Sequence, residues 1–173
     1  MTLRTLIVLA QFVAALGVFF SVVYLAIQVR QNAKITKAQF GHSLTSRLYE
    51  RYFLAAKDQE FSWFLAKNWS TDKLEDYEYW RITLWINTCL VDIFDTYDQH
   101  KHGLVDITHL NMRMNLLQAG LMKTRMGRPT WEFWKVNRSP EFIEWFETEI
   151  YGGLLTDTDP EGSAWQDLNM KRD

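Results

Sequence analysis

The sequence predicts an all-α protein: an N-terminal transmembrane helix that continues into a stalk, followed by a small helical bundle. Three observations carry that prediction. No charge occurs between Arg4 and Arg30. Apolar residues recur at three- and four-residue spacings through most of the remaining chain. Only 3 prolines and 8 glycines are present, mostly between periodic runs, where a turn-rich β-fold would need many more. A content of 47% hydrophobic and 15% aromatic residues excludes a disordered chain and supplies a core. The expected boundaries are residues 1–30 for the anchor, 31–56 for the stalk, 57–153 for the bundle and 154–173 for an acidic C-terminal tail.

The anchor comes first. Of the 24 residues from Leu6 to Val29, 20 are apolar, the exceptions being Gln11, Gly17, Ser21 and Gln28. Such a helix is about 36 Å long, enough to cross a hydrocarbon layer of roughly 30 Å with some tilt. A secretory signal would have a shorter apolar region and a small-residue cleavage site, whereas this run ends in Tyr24, Gln28 and Arg30. Downstream stand Arg30, Lys34, Lys37 and Arg47, with no acid before Glu50. That basic excess favours a cytoplasmic C-terminal domain and an outside N-terminus, with Arg4 weakening the contrast. Within the run, Ala10, Ala14, Gly17 and Ser21 share one helix face, extended by Tyr24 and Gln28. Small residues admit another helix closely, and Ser or Gln can hydrogen-bond across the contact.

Beyond the anchor the helix runs on as a stalk, with Phe40, Leu44, Leu48 and Tyr52 on one face. A short second helix fits Gln59 to Asn68, with Phe61, Phe64 and Leu65 inward. Ser70, Thr71 and Asp72 offer N-caps for a third helix, which Gly103 stops; Tyr77, Trp80, Leu84, Thr88 and Val91 mark its expected packed face. A fourth helix fits Ile107 to Met126, carrying Leu110, Met114, Leu117 and Leu121, and ends at Gly127-Arg128-Pro129. Thr130 can cap a short piece from Trp131 to Val136. Ser139-Pro140-Glu141 combines an N-cap, a proline at the first helical position and an early acid, and Gly152-Gly153 closes that last helix.

The segment Tyr24-x-x-x-Gln28-x-Arg30-Gln31-Asn32, the Gly103-Leu104 pair followed by Asp106, and Ser139-Pro140-Glu141-Phe142 after a Trp-containing stretch resemble a group of small bacterial proteins of unknown function. In that group a single N-terminal membrane helix ends in Q-x-R-Q-N and continues into a helical domain. The resemblance implies an anchor and a helical fold in the bacterial inner membrane; it supplies no activity and no catalytic residue.

Candidate chemistry is sparse. Asp92, Asp95, Gln99 and His102 share one helical face and could hold a metal, but no Glu-x-x-His or Asp-x-x-His accompanies them. The alternative is a solvated acidic face ending in histidines that suit a helix C-terminus. Asp157, Asp159, Glu161 and Gly162 look like the start of a calcium loop, yet its twelfth position is Leu168 rather than Glu, which leaves an acidic tail. There is no G-x-S-x-G, Walker A or G-x-G-x-x-G sequence, and the lone Cys89 reads as a core thiol. No cofactor is called for.

Charge is arranged in blocks. Asp72 to Asp106 holds eight acids and three bases; Ile107 to Arg138 holds six bases and one acid. A hairpin about Gly103 would pair them. Alternatively Lys123, Arg125, Arg128, Lys135 and Arg138, with Trp131 and Trp134 among them, form a surface for anionic lipid or an acidic partner. A net charge of -2 and the lack of a matching fold motif argue against nucleic acid. The resulting expectation is a non-enzymatic single-pass protein, an accessory or interaction subunit of a larger membrane complex, respiratory or photosynthetic hosts being the obvious ones. Its partners would be the bilayer and other membrane subunits, met through the transmembrane helix and the Trp-rich domain, with a homo-oligomer left open as the alternative. The competing readings are a tethered signalling or stress adaptor and a metal-binding helical enzyme.

Overall fold

The computed structural model describes residues 3–69 and 73–156. Every regular element among them is helical: α1 (Leu3–Lys57), α2 (Gln59–Leu65), α3 (Asp76–Lys101), α4 (Ile107–Gln118), a single 3-10 turn (Leu121–Lys123), α5 (Gly127–Lys135) and α6 (Pro140–Tyr151). The expected caps Ser70, Thr71 and Asp72, the acids of 157–162 and Trp165 lie outside the described residues.

No proline occurs in α1, and its 55 residues form one unbroken helix, about 80 Å long at 1.5 Å per residue. It is long and apolar enough to cross a membrane, and its most apolar 18-residue window is 0% buried against the rest of the chain. Its only buried residues, Leu44 and Ala55, lie in the last third, where the bundle packs. The expected stalk face is therefore real at Leu44, half-buried at Phe40 and Leu48, and drifts off by Tyr52, which stays exposed.

Local chemistry sets the bundle's helix ends. Asp58 caps α2 by accepting from the Phe61 N–H at 2.9 Å. At the start of α3, Glu75 and Glu78 form a capping box, with the Glu78 side chain accepting from the Glu75 N–H at 3.0 Å. Helix α3 stops where Gly103 takes φ 67°, and Asp106 then caps α4 through the Thr108 N–H. Ser139, Pro140 and Gly152 bound α6 as expected, Ser139 accepting from Phe142 N–H and Gly152 adopting the left-handed conformation at φ 79°.

Three expectations are overturned. Helix α4 ends at Gln118 rather than Met126, because Gly120 turns the chain at φ 137°, a conformation closed to other residues. Gly127-Arg128-Pro129, expected to end a helix, instead opens α5, whose first turn tolerates a proline without an N–H. The packed face of α3 is also the opposite one. Tyr77, Leu84 and Val91 are exposed at 63%, 61% and 48%, while Ile82, Ile86, Cys89, Leu90, Ile93 and Phe94 are buried. Against that buried face pack Leu110, Met114 and Leu117 of α4, Leu121 and Met122 of the turn, and Trp131, Phe142 and Phe146. Trp131 packs against Phe146 with centroids 4.2 Å apart and rings tilted, and Phe142 meets Tyr97 edge-on at 4.7 Å, contacts each worth about 0.5–1.5 kcal/mol beyond burial.

At Gly127 a Cβ would lie 2.4 Å from the Met122 carbonyl oxygen, a clash with backbone. Gly127→Ala is expected to destabilise the bundle by about 1–3 kcal/mol. Gly17→Ala, where a Cβ meets nothing within 4 Å, is expected to leave stability unchanged. Thermal unfolding of the full chain in detergent, followed by circular dichroism, checks both.

Candidate functional site

The densest polar assembly joins the stalk to the bundle. Arg47 and Arg51 stand one turn apart on α1, facing Asp95 and Asp92 on α3. Arg47 donates to Asp95 at 2.5 Å, and Arg51 donates both to Asp92 and, at 3.5 Å, to the Cys89 sulfur. From α4, Arg113 donates Nε–H to Asp92 at 2.8 Å and its two other nitrogens to the Leu44 carbonyl at 2.7 Å and the His109 carbonyl at 2.9 Å. Asp92 thus accepts from two guanidinium groups at a site only 7% exposed. Both guanidiniums share the one carboxylate, and Arg113 spends its other two nitrogens on backbone carbonyls, which helps offset the cost of burying the cluster.

That geometry decides the fate of the three candidate metal ligands. Asp92 and Asp95 are held by arginines, and His102 turns back on its own helix, its Nδ1 lying 2.6 Å from the Asp98 carbonyl. No group of three or more metal-ligating side chains occurs among the described residues. Burial pushes the Cys89 thiol up to about 11 against the pull of Arg51, which leaves it a protonated core group.

The basic, Trp-containing segment is not one surface. Trp131 is fully buried and donates its indole N–H to Glu147 at 2.9 Å. Trp134 is half-buried and donates to the Asn87 side chain at 2.5 Å. Lys135 pairs with the same Glu147 at 2.6 Å, Arg128 pairs with Glu132, Arg125 lies over Tyr79, and Arg138 lies 4.3 Å above Phe94. Only Lys123 of the seven is left as a plainly exposed charge with no such contact described. For Trp131 and Lys135 the cause is Glu147. Glu147 sits inside the α5–α6 pair, also accepting from the Leu155 N–H at 2.9 Å, and draws Trp131 and Lys135 towards it. Burial opposes its ionisation, but Lys135, Leu155 and Trp131 outweigh that and hold its carboxyl below the ordinary range. Lys67 does the same for Glu78, which is nearly buried and paired at 2.5 Å.

The expected interhelical face of α1 is unpartnered. Ala14, Gly17 and Ser21 line a shallow apolar concavity with Val18, Val22 and Leu25. Ser21 donates back to the Gly17 carbonyl at 2.8 Å, and Gln28 donates to the Tyr24 hydroxyl at 2.8 Å, so the polar groups of the stripe are satisfied within the helix. A second, mostly apolar cleft of about 410 Å³ lies between the end of α1 and the start of the 3-10 turn, walled by Tyr52, Leu65, Trp69, Trp85, Leu116 and Leu121. Sequence reading missed the Arg51–Asp92–Arg113 cluster; its signal was the matched spacing of Arg47/Arg51 and Asp92/Asp95. No protein-family model, curated protein or solved structure matches the chain.

Asp92→Ala would strand two buried guanidinium groups and is expected to cost about 3–5 kcal/mol, whereas Asp95→Ala at the exposed pair should cost under about 1 kcal/mol. Denaturant titration of the two variants checks the contrast. Acid should act through Glu78 and Glu147, whose folded pKa values are lowered. Their contribution is complete above the ordinary glutamate value of 4.5 and is lost as pH falls through the lowered values. Glu147→Gln is therefore expected to flatten the acid side of the stability profile, read from melting temperature against pH.

Proposed function

We propose that the protein is a non-enzymatic single-pass membrane protein of the bacterial inner membrane, with its helical bundle on the cytoplasmic side, acting as an accessory subunit of a larger membrane assembly. One observation carries the reading: the apolar run and the stalk are one uninterrupted helix, bare over its apolar part and clamped to the bundle over its last third. A cleaved leader would need its cleavage site within a continuous helix, and a soluble core helix would be covered by its own domain. The basic residues Arg30, Lys34 and Lys37, following directly on the apolar run, support the cytoplasmic side for the bundle. A respiratory or photosynthetic complex is the host this reading would fit.

Two surfaces support the accessory role over a freely diffusing tether. The Ala10–Ala14–Gly17–Ser21 face of α1 lets a neighbouring membrane helix approach closely. Outside the membrane run, Tyr77, Leu84 and Val91 repeat every seven residues on the outer face of α3 and stay exposed. That spacing is the one an apolar helix face of a neighbouring subunit reads. The carboxylates that could have served a metal enzyme are already taken up by arginines.

The chain is expected to resist carbonate extraction and to migrate on native electrophoresis of mild detergent extracts as part of a complex larger than its monomer. Leu84→Glu combined with Val91→Glu should release it from that complex with an unchanged melting temperature. A wild-type chain that always migrates as a lone monomer would remove the accessory reading.

A further inference from the structure

The mostly apolar cleft at the end of α1 has the rings of Tyr52, Trp69 and Trp85 in its wall. Its volume, about 410 Å³, lies at the small end of the range for ligand pockets, roughly 300–1,000 Å³. One or two large side chains fill such a space. With α1 in the bilayer, lipid does not reach it. Tyr52 stands 22 residues beyond Arg30, about 33 Å along the helix, whereas a headgroup layer is roughly 5–8 Å deep. The polar groups of the wall are engaged with the protein itself. Lys67 pairs with Glu78 at 2.5 Å, the Trp69 indole donates to the Phe64 carbonyl at 2.9 Å, and the Thr124 hydroxyl donates to the Leu121 carbonyl at 2.8 Å. What the cleft offers is aromatic and aliphatic surface, and its occupant is an apolar side chain.

The chain carries one within reach. After the acids Asp157, Asp159 and Glu161, the first large apolar residues are Trp165 and Leu168. Leu155 fixes where that segment departs. Its N–H donates to Glu147 Oε2, while Glu147 Oε1 holds Trp131 and Lys135. Thr156 therefore leaves beside α5. That helix spans nine residues, about 14 Å, and Thr124, three residues before its start, belongs to the cleft wall. Thr156 and Trp165 are nine residues apart and can span up to about 30 Å. Charge favours the same route. A segment running back along α5 to Thr124 passes Arg128, Arg125 and Lys123, and the three acids lie between Thr156 and Trp165.

We propose that residues 157–173 fold back along α5 and seat Trp165 in this cleft, with Asp157, Asp159 and Glu161 against Lys123, Arg125 and Arg128. The acidic partner expected of that basic segment is then the chain's own C-terminal tail. A short tether gives an effective concentration in the millimolar range, so a contact too weak to hold a separate peptide is enough. The contact goes beyond the subunit role and does not depend on it.

The test traps the contact by disulfide formation in the full chain in detergent. Cys89 is buried and stays protonated, so two added cysteines report alone. Ala119→Cys puts one on the cleft wall, and Ala164→Cys puts the other beside Trp165. In the control pair Glu144→Cys, exposed on α6, takes the place of Ala119→Cys. A tail without a seat favours the control. A loop of 20 residues (144 to 164) closes about threefold more readily than one of 45 (119 to 164). The expected result reverses that order: under mild oxidation the cleft pair bridges within one chain at least about fivefold faster than the control, read by non-reducing electrophoresis. Trp165→Ala should remove the advantage, and about 1 M NaCl, where the screening length is roughly 3 Å, should reduce it. Ala119 and Glu144 are exposed, so the variants should fold, and their melting temperatures verify this. Bridging no faster than the control, or an advantage that survives Trp165→Ala or is unchanged by salt, would overturn the proposal. Bridges formed only between chains would overturn it as well and give the cleft to a second copy.

Discussion

Everything above the apolar run depends on the burial of Asp92 between Arg51 and Arg113. The three residues come from α3, α1 and α4, and Arg113 also reaches the Leu44 carbonyl on α1. Desolvating three charges is costly, and burial lowers the Arg113 pKa against the opposing pull of Asp92. Apolar residues could fill such a volume with equal stability, but they would fix no register. A carboxylate with two guanidinium partners has one good arrangement, which sets the rotation of α1 about its axis and its height along α3. Because the apolar run is part of the same helix, the cluster also sets how the bundle is turned relative to it.

That constraint explains the asymmetry of α1. Its first two thirds bury nothing, and its last third is held by Leu44, Ala55 and the arginines. Gly41 belongs to the same arrangement: with no side chain it lets His109 approach, so the α3–α4 turn comes down beside the stalk. Farther from α1, the Glu147 knot has the corresponding role, tying α5, α6 and the segment at Leu155 around Trp131. Asp92 and Glu147, like Glu78 with Lys67, are buried carboxylates completed by cations from other parts of the chain. Arg47–Asp95 adds little beside these, since both partners are about two-fifths exposed.

Much of this was legible where the signal is local. The apolar run, the Ser139-Pro140 start, the Gly103 and Gly152 stops and the inward row Leu110, Met114, Leu117 and Leu121 all follow from spacing and cap chemistry. The face of α3 was not legible in that way. Both of its sides carry apolar residues at helical spacing, Tyr77, Leu84 and Val91 on one, Ile82, Ile86 and Ile93 on the other. The buried side also carries Glu78 and Asp92, whose charges argue for solvent until Lys67, Arg51 and Arg113 are brought to them. The same blindness placed Trp131 and Lys135 on a surface, because nothing local reveals that Glu147 is buried. Charged residues paired across long sequence separations are what a single sequence conceals best.

The misjudged face of α3 bears on function. In a domain that works alone, tyrosine, leucine and valine repeated every seven residues on an outer face would be an aggregation hazard, and selection for solubility tends to remove it. Here the domain has a real choice of faces and buries the one with the ion cluster, leaving the other apolar and bare. The stalk holds that face at a fixed orientation to the apolar run, so a neighbour that meets the small-residue stripe of α1 would meet the outer face of α3 in a constant relation. Two weak surfaces on one rigid helix assembly bind far better than either alone, provided the geometry lets both engage at once. The buried arginines supply that geometry: by fixing α1 against α3 and α4 they fix how the outer face of α3 stands to the apolar run.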